Sequence, residues 1–246
     1  MSAQKGSLPQ IENRILLALP KAVLKKLSPD LEVITLPMNR VLFEAGERVD
    51  WAYFLNSGMA SLIAVNSNGS SIEVAAVGNE GMVPVCVLTG PQYVSYRCIM
   101  QLSGSGLKIS INSLRGQFRG MLGEQLLGFM QMLHNQSCQL VLCNRFHTIE
   151  QRLCRWLLIT ADRAGDNHFP ITHEFISCML GANRSNVTVA LGALKTAGFI
   201  SYRKGTLSIL DRARIESLAC ECYRNYRREI ESYVKFSSRR GSGLHA

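Results

Sequence analysis

Between Leu31 and Ile109 the apolar residues fall in short β-rich runs: VITL, RVLF, WAYFL, ASLIAV, SIEVAAV and YRCIMQL. AGE, NSG, NSNGSS, GNEG and TGPQ separate them, and such frequent turns predict an antiparallel sandwich or barrel. Ahead of it, Ile11 to Leu27 patterns as helix in two pieces divided at Pro20, a residue suited to a helix's first turn. Residues 1–9 are polar and expected to be loose. Past the strands, Ser110 to His147 reads as one long helix after a polar start at Asn112-Ser113. Leu122, Leu126, Phe129, Leu133, Gln136, Leu140 and Cys143 recur at alternating steps of four and three, a heptad seam interrupted once by Gln136. Packing against the chain's own strands would give the same pattern, and Gly120, Gly123 and Gly128 weaken an isolated coiled coil.

Thr148-Ile149-Glu150-Gln151-Arg152 restarts the helical pattern. Leu153, Trp156, Leu157 and Ile159 form its apolar face, and Ala164-Gly165-Asp166-Asn167 ends it. From Thr172, an N-cap residue, Phe175, Ile176, Met179 and Leu180 predict a short amphipathic helix that stops at Gly181. Asn183 is placed to cap a second helix with Val187, Leu191 and Leu194 as its buried stripe and Gly198 beyond its end. Two helices joined so tightly form a helix-turn-helix, whose second helix enters the DNA major groove. An ordinary helical hairpin would share the spacing. Two β-like runs, Phe199–Tyr202 and Thr206–Leu210, flank Arg203-Lys204-Gly205 as a basic wing. Ala213 to Phe236 then reads as one Arg-rich helix, and Ser237–Ala246 as a disordered tail.

At 246 residues the chain can hold two modest domains, and 47% apolar content fits a globular protein. No apolar run reaches membrane-spanning length, and Met1 to Pro20 lacks a signal-peptide pattern, so a cytoplasmic location without membrane contact is expected. Charge is uneven. Residues 145–246 hold 16 Lys/Arg against 9 Asp/Glu, a net of +7, whereas residues 1–144 hold 11 against 9, a net of +2. A basic C-terminal half is the electrostatic footprint of a phosphate-backbone binder, although solubility alone can also favour basic charge. The eight cysteines, at 86, 98, 138, 143, 154, 178, 220 and 222, show no paired CxxC zinc pattern and read mostly as small buried hydrophobes. Cys143 and His147, four apart, could share a metal, but core packing is the commoner reading of such a pair. Cys220 and Cys222, on one predicted helix, would not share a face. Neither a cofactor nor a metal is expected.

The helix-turn-helix stretch resembles the DNA-binding domain of the Crp/Fnr family of bacterial transcription regulators. It is matched without gaps from Ile171 to Leu191, with Thr172 opening the first helix, Leu180-Gly181 closing it and Arg184 opening the second. Residues earlier in the chain resemble that family's cyclic-nucleotide-binding β-roll: Val41-Leu42-Phe43 with Gly46, then Tyr53, Leu55 and Gly58. The resemblance implies an α+β protein with an N-terminal antiparallel, jelly-roll-like β-roll at 10–120 and a dimerisation helix at 121–147. A winged helix-turn-helix at 148–220 and a C-terminal helix and tail at 221–246 would follow. It further implies a homodimer joined through Leu122, Leu126, Phe129, Leu133, Gln136 and Leu140, a palindromic promoter site on double-stranded DNA, and RNA polymerase as a partner.

Arg184 falls where family members carry a guanine-reading Arg, Ser185 where many carry Glu, and Val189 where the cyclic-AMP-responsive member carries a second base-reading Arg. The DNA-contacting set expected on these grounds is Thr172, His173, Asn183, Arg184, Ser185, Asn186, Thr188, Arg203 and Lys204. The nucleotide-binding segment departs from the family. Pro84 stands at the Gly and Val85 at the Glu of its Gly-Glu pair, and the phosphate-binding Arg position falls near Val94 or Ser95, with Arg97 displaced. Pro84 lacks an N–H and Val85 cannot bind a hydroxyl, so cyclic AMP is not the expected effector, which is left unidentified. The absence of cysteines from the first 85 residues separates the chain from members that hold an iron–sulfur cluster there. A cysteine-based redox or metal sensor on the same scaffold is the rival reading. A hydrolase using His134, His147, His168 or His173 lacks a nucleophile–base–orienter set.

Overall fold

A computed structural model describes residues 10–242, and within them two four-stranded antiparallel sheets form the N-terminal sandwich. The first has the order β1 (Glu32–Leu36), β8 (Gly104–Ser110), β3 (Trp51–Leu55), β6 (Met82–Val83). The second has the order β2 (Val41–Phe43), β7 (Arg97–Leu102), β4 (Met59–Val65), β5 (Ser71–Val77). Between them Phe43, Phe54, Leu62, Val77, Cys98, Met100 and Leu107 are buried in one core. On β4, Ala60 and Leu62 point inward, while Met59 and Ile63 on the opposite face join a second core with the C-terminal domain. That double burial explains why ASLIAV reads as a continuous apolar run instead of an alternating one. Before the sheets come α1 (Arg14–Leu17) and α2 (Lys21–Leu27), divided at Pro20 as the sequence predicts. Residues 1–9, expected to be loose, lie outside the described residues.

The predicted single helix from Ser110 to His147 is two helices, α3 (Ile111–Gly116) and α4 (Gly120–Phe146). Gly120 at φ +55° lets the chain turn between them. After α4 come α5 (Ile149–Ala164), β9 (His168–Pro170), α6 (His173–Leu180), α7 (Arg184–Thr196), β10 (Ile200–Arg203) and β11 (Thr206–Ile209). The predicted Ala213–Phe236 helix is likewise two, α8 (Arg212–Leu218) and α9 (Cys222–Ser242), broken over residues 219–221. Helix α9 continues through Ser237 to Ser242, so the first part of the expected disordered tail is helical; residues 243–246 lie outside the described residues.

Helix α9 runs back along α4 and packs on the stripe expected to join a dimer. Tyr233 packs on Phe129 at 5.8 Å between ring centroids, Ser237 Oγ donates to Gln125 Oε1 at 2.5 Å, and Asn135 Nδ2 donates to Glu229 at 3.1 Å. Leu122, Leu126, Phe129, Gln136 and Leu140 are all buried within the protomer, and Leu133 is half-buried against the β-roll core. The stripe is apolar because this chain's own strands and α9 cover it. Phe129 lies so close over Gly81 that a Cβ there would collide with its ring. The side of α4 left to solvent carries Leu127, His134, Cys138, Val141 and Arg145, spaced by seven, four, three and four.

Candidate nucleic-acid interface

Helix α5 is the platform. Thr148 and Gln151 close a reciprocal capping box at its start, and Gly165 ends it in the left-handed region. Its buried face, including Leu153, Trp156 and Leu157, packs on Ile176, Met179 and Leu180 of α6 and on Val187, Leu191 and Leu194 of α7. Cutting a buried leucine such as Leu191 back to Ala in such a core costs about 2–5 kcal/mol. The stripe predicted for the second helix is therefore what orients it.

Thr172 caps α6 by accepting from the Phe175 amide at 3.1 Å. Gly181 closes α6 at φ +55°, and a Cβ there would also strike Ile72 of β5, so the turn is held against the β-roll. Asn183 sits at the N-cap of α7 with extended backbone, but its side chain makes no capping bond and stays exposed. Arg184, Ser185, Asn186 and Thr188 are exposed on the first turns of α7, and Val189 is 70% exposed beside them. Arg184 Nη1 lies 3.6 Å from Glu174 on α6, an exposed pair that positions the guanidinium loosely. His173 pairs its Nδ1 with Thr188 Oγ1 at 3.0 Å and tilts over the Tyr202 ring. Partial burial, and then the Arg184 charge, hold this imidazole below its ordinary pKa. His173 and Thr188 thus form one joined unit across the two helices.

Tyr202 donates to the Ile171 carbonyl at 2.7 Å, fixing the wing to the start of α6. In the wing Arg203 pairs with Thr206, so Lys204-Gly205 is a two-residue turn with φ of +48° and +78°. That is the twist a tight hairpin favours, and it projects Arg203 and Lys204 outward. β9 extends the wing to three strands through β11, a pairing the short HFP run did not reveal. All nine expected contact residues lie on α6, the start of α7 or the wing tip. Thr172 differs in that its hydroxyl already accepts from the Phe175 amide.

The interface is coupled to the β-roll. Glu80, 1% exposed, accepts from the Arg163 guanidinium of α5, with Nη2 at 2.6 Å from Oε1, and Tyr226 of α9 bonds the same Arg163. Burial pushes the Glu80 carboxyl up, but the Arg163 charge and hydrogen bonds outweigh it and leave the pKa below the usual range. Gln101 of β7 donates to Thr160 of α5 at 2.8 Å and accepts from Ser61. Beside this contact, a cavity of about 290 Å³ lies between β5, α4, α5 and α9. It is lined among others by Glu73, Gln136 and Arg155, each with a buried polar atom that has no partner among the described residues.

In the β-roll, Val83, Val85, Val87 and Leu88 are packed into the core, so this segment presents apolar side chains there. Arg97 pairs with Glu44 at 2.7 Å. The histidines considered for hydrolysis are scattered: His134 faces Cys138, His168 pairs with Asp166, His173 bonds Thr188, and His147 lies at the end of α4. Spacing alone hid one assembly. Because the C-terminal helix breaks at residues 219–221, Cys220 and Cys222 both turn toward Cys143 and His147. Among the described residues no helix is long and apolar enough to cross a membrane.

Residues 151–218 match the family model described as the Crp-like helix-turn-helix domain. Solved structures that share the fold include a chain assigned to the Crp/Fnr family from Eubacterium rectale, at 19% identity, 83% of this chain, 96% of that chain and a TM-score of 0.67. FixK2 from Bradyrhizobium japonicum matches at 16% identity, 77% and 98% coverage and a TM-score of 0.65. A Crp/Fnr-family transcriptional regulator from Thermus thermophilus matches at 19%, 76% and 98%, with a TM-score of 0.65. No curated protein matches the chain in sequence. The chain thus has the fold of the Crp/Fnr-type transcriptional regulators and carries a Crp-like helix-turn-helix domain over residues 151–218.

Proposed function

We propose that this protein is a sequence-specific, double-stranded-DNA-binding transcription regulator of the Crp/Fnr type, acting in the cytoplasm as a homodimer on a palindromic promoter site. The observation that carries the reading is the exposed row Arg184, Ser185, Asn186 and Thr188 at the N-terminal end of α7, with the basic wing beside it. Arg184 reads guanine, and Val189 offers an apolar contact of the kind a thymine methyl takes. Arg203 and Lys204 hold phosphate. The domain limits are those of the sequence reading, except that α9 belongs with α4 in packing. The dimer forms through the outer face of α4, where Leu127, Val141, Leu142 and Phe146 are exposed, Val141 and Phe146 by more than 70%. RNA polymerase is the downstream partner, and the β-roll binds no cyclic AMP. Selection of bound DNA from a random pool tests the core of the proposal. A recovered palindrome with guanine-bearing half-sites one helical turn apart is expected; recovery of unrelated sequences would overturn it.

A further inference from the structure

The four groups at the α4–α5 joint are set as metal ligands. Cys143 Sγ lies 3.6 Å from Cys220 Sγ, and Cys222 Sγ lies 3.5 Å from His147 Nδ1. All four ligand atoms fall within 4.8 Å of one another. Zinc bonds of about 2.3 Å to sulfur and about 2.0 Å to nitrogen set tetrahedral edges of roughly 3.8 Å between sulfurs and 3.5 Å between sulfur and nitrogen. Two contacts already match those edges, and the remainder close by side-chain rotation of less than about 1 Å at the sulfur. The three sulfurs are buried together as a separate cluster. They stand too close to enclose a cluster of several irons.

The surroundings complete the site. His147 Nε2 lies 3.2 Å from the Glu221 carboxylate, which fixes the tautomer that leaves Nδ1 free to bind. Gln139 Nε2 donates to Cys222 Sγ at 3.1 Å, as donors to metal-bound thiolates do. Three thiolates and a neutral imidazole around a divalent ion carry one net negative charge. Arg155, buried on α5, places a cation close enough to act on Cys143. His147 caps α4 immediately before α5 begins, and Cys220 and Cys222 bracket the α8–α9 break. Metal there ties the long helix, the DNA-binding domain and the C-terminal helix at one point.

We infer that Cys143, His147, Cys220 and Cys222 form a closed, mononuclear tetrahedral Zn²⁺ site that clamps the C-terminal helix to the joint between α4 and the DNA-binding domain. Ion binding releases the thiol protons to solvent and involves no redox change. The inference is independent of the DNA-reading proposal, because metal content is measured without DNA.

The test uses the full chain, purified with reductant, incubated with zinc and desalted. Elemental analysis should give about one zinc per chain, and cobalt substitution should give thiolate-to-cobalt charge transfer with the intense visible bands of a tetrahedral ion. Cys220→Ser should lose the zinc, and Cys138→Ser, on the exposed side of α4, should keep it. Glu221→Gln should retain the stoichiometry with affinity lowered about tenfold, as loss of a ligand-orienting partner does. Should Cys220→Ser fail to fold, His147→Cys provides the second reading, with cobalt retained and its spectrum shifted toward four-sulfur coordination. Folded, reduced protein that takes up no zinc overturns the site. So does iron with acid-labile sulfide, or equal metal loss in Cys138→Ser.

Discussion

Glu80 of the β-roll and Arg163 of α5 meet as a buried ion pair, with Nη2 of the arginine 2.6 Å from Oε1 of the glutamate. Through it the sandwich and the DNA-binding domain share a charge as well as an apolar core. Removing one partner of a buried pair strands the other, at a cost of about 3–5 kcal/mol. Glu80→Gln should therefore lower the denaturant midpoint at pH 7 by a matching amount. Because the folded pKa of Glu80 is depressed, its contribution is complete above the unfolded carboxylate pKa and is lost as pH falls through the folded value. Wild type and variant should converge in acid. A constant gap at every pH would show that the pair is not the source.

Glu73 predicts the opposite slope in a different window. Burial pushes its carboxyl up from 4.5 to about 7, against the pull of the Ser61 hydroxyl and the Arg155 charge. Between pH 4.5 and about 7 the unfolded chain binds fewer protons at this position, so stability falls as pH rises, by about 3 kcal/mol over the window. Glu73→Gln keeps the shape without the charge and should flatten that slope. Equilibrium unfolding at pH 5 and pH 8 measures it; an unchanged slope in the variant would assign the titration elsewhere.

How far the residues alone carried the reading depends on whether the information is local. The helix-turn-helix was legible because Thr172, Gly181 and the Val187–Leu191–Leu194 stripe act within a turn or two of themselves, as cap, left-handed stop and buried face. The wing tip was legible for the same reason. The stripe on α4 was legible but what lies against it was not: periodicity reports that a face is covered, and only the fold says that Tyr233 and the β-roll pack on it. The cysteine site was invisible because it depends on a helix break at residues 219–221, where Ala-Cys-Glu carries no Gly or Pro to mark it. Lacking that break, Cys220 and Cys222 seemed to point apart.

The packing of α9 on α4 decides what a charge should do along it. Leu127 and Val141 are exposed on one side, whereas Leu126 is fully buried. Leu127→Asp combined with Val141→Asp should leave the circular dichroism spectrum and unfolding midpoint of the protomer nearly unchanged while sedimentation shifts from dimer to monomer. Leu126→Asp buries an unpaired charge and should unfold the β-roll. If the double variant sediments as wild type, the dimer uses another surface.

The two kinds of DNA contact proposed for α7 and the wing should fail differently. Arg184 stands exposed at the first turn of α7, loosely restrained by Glu174 at 3.6 Å, so its fork can offer two parallel donors to the O6 and N7 of a guanine. Lys204 sits at a hairpin tip with φ +48°, where a flexible point charge meets phosphate more readily than a base edge. Arg184→Ala should therefore cost about 1–3 kcal/mol and relax preference at one base pair per half-site. Lys204→Ala should weaken every sequence alike and reduce the salt slope by roughly one unit. Tm should hardly move in either variant, since neither side chain is buried. The measurement is binding to one selected site and its single-base variants at several salt concentrations. Uniform weakening of all variants by Arg184→Ala would make that residue a phosphate contact, and α7 would then lie across the backbone instead of in the groove.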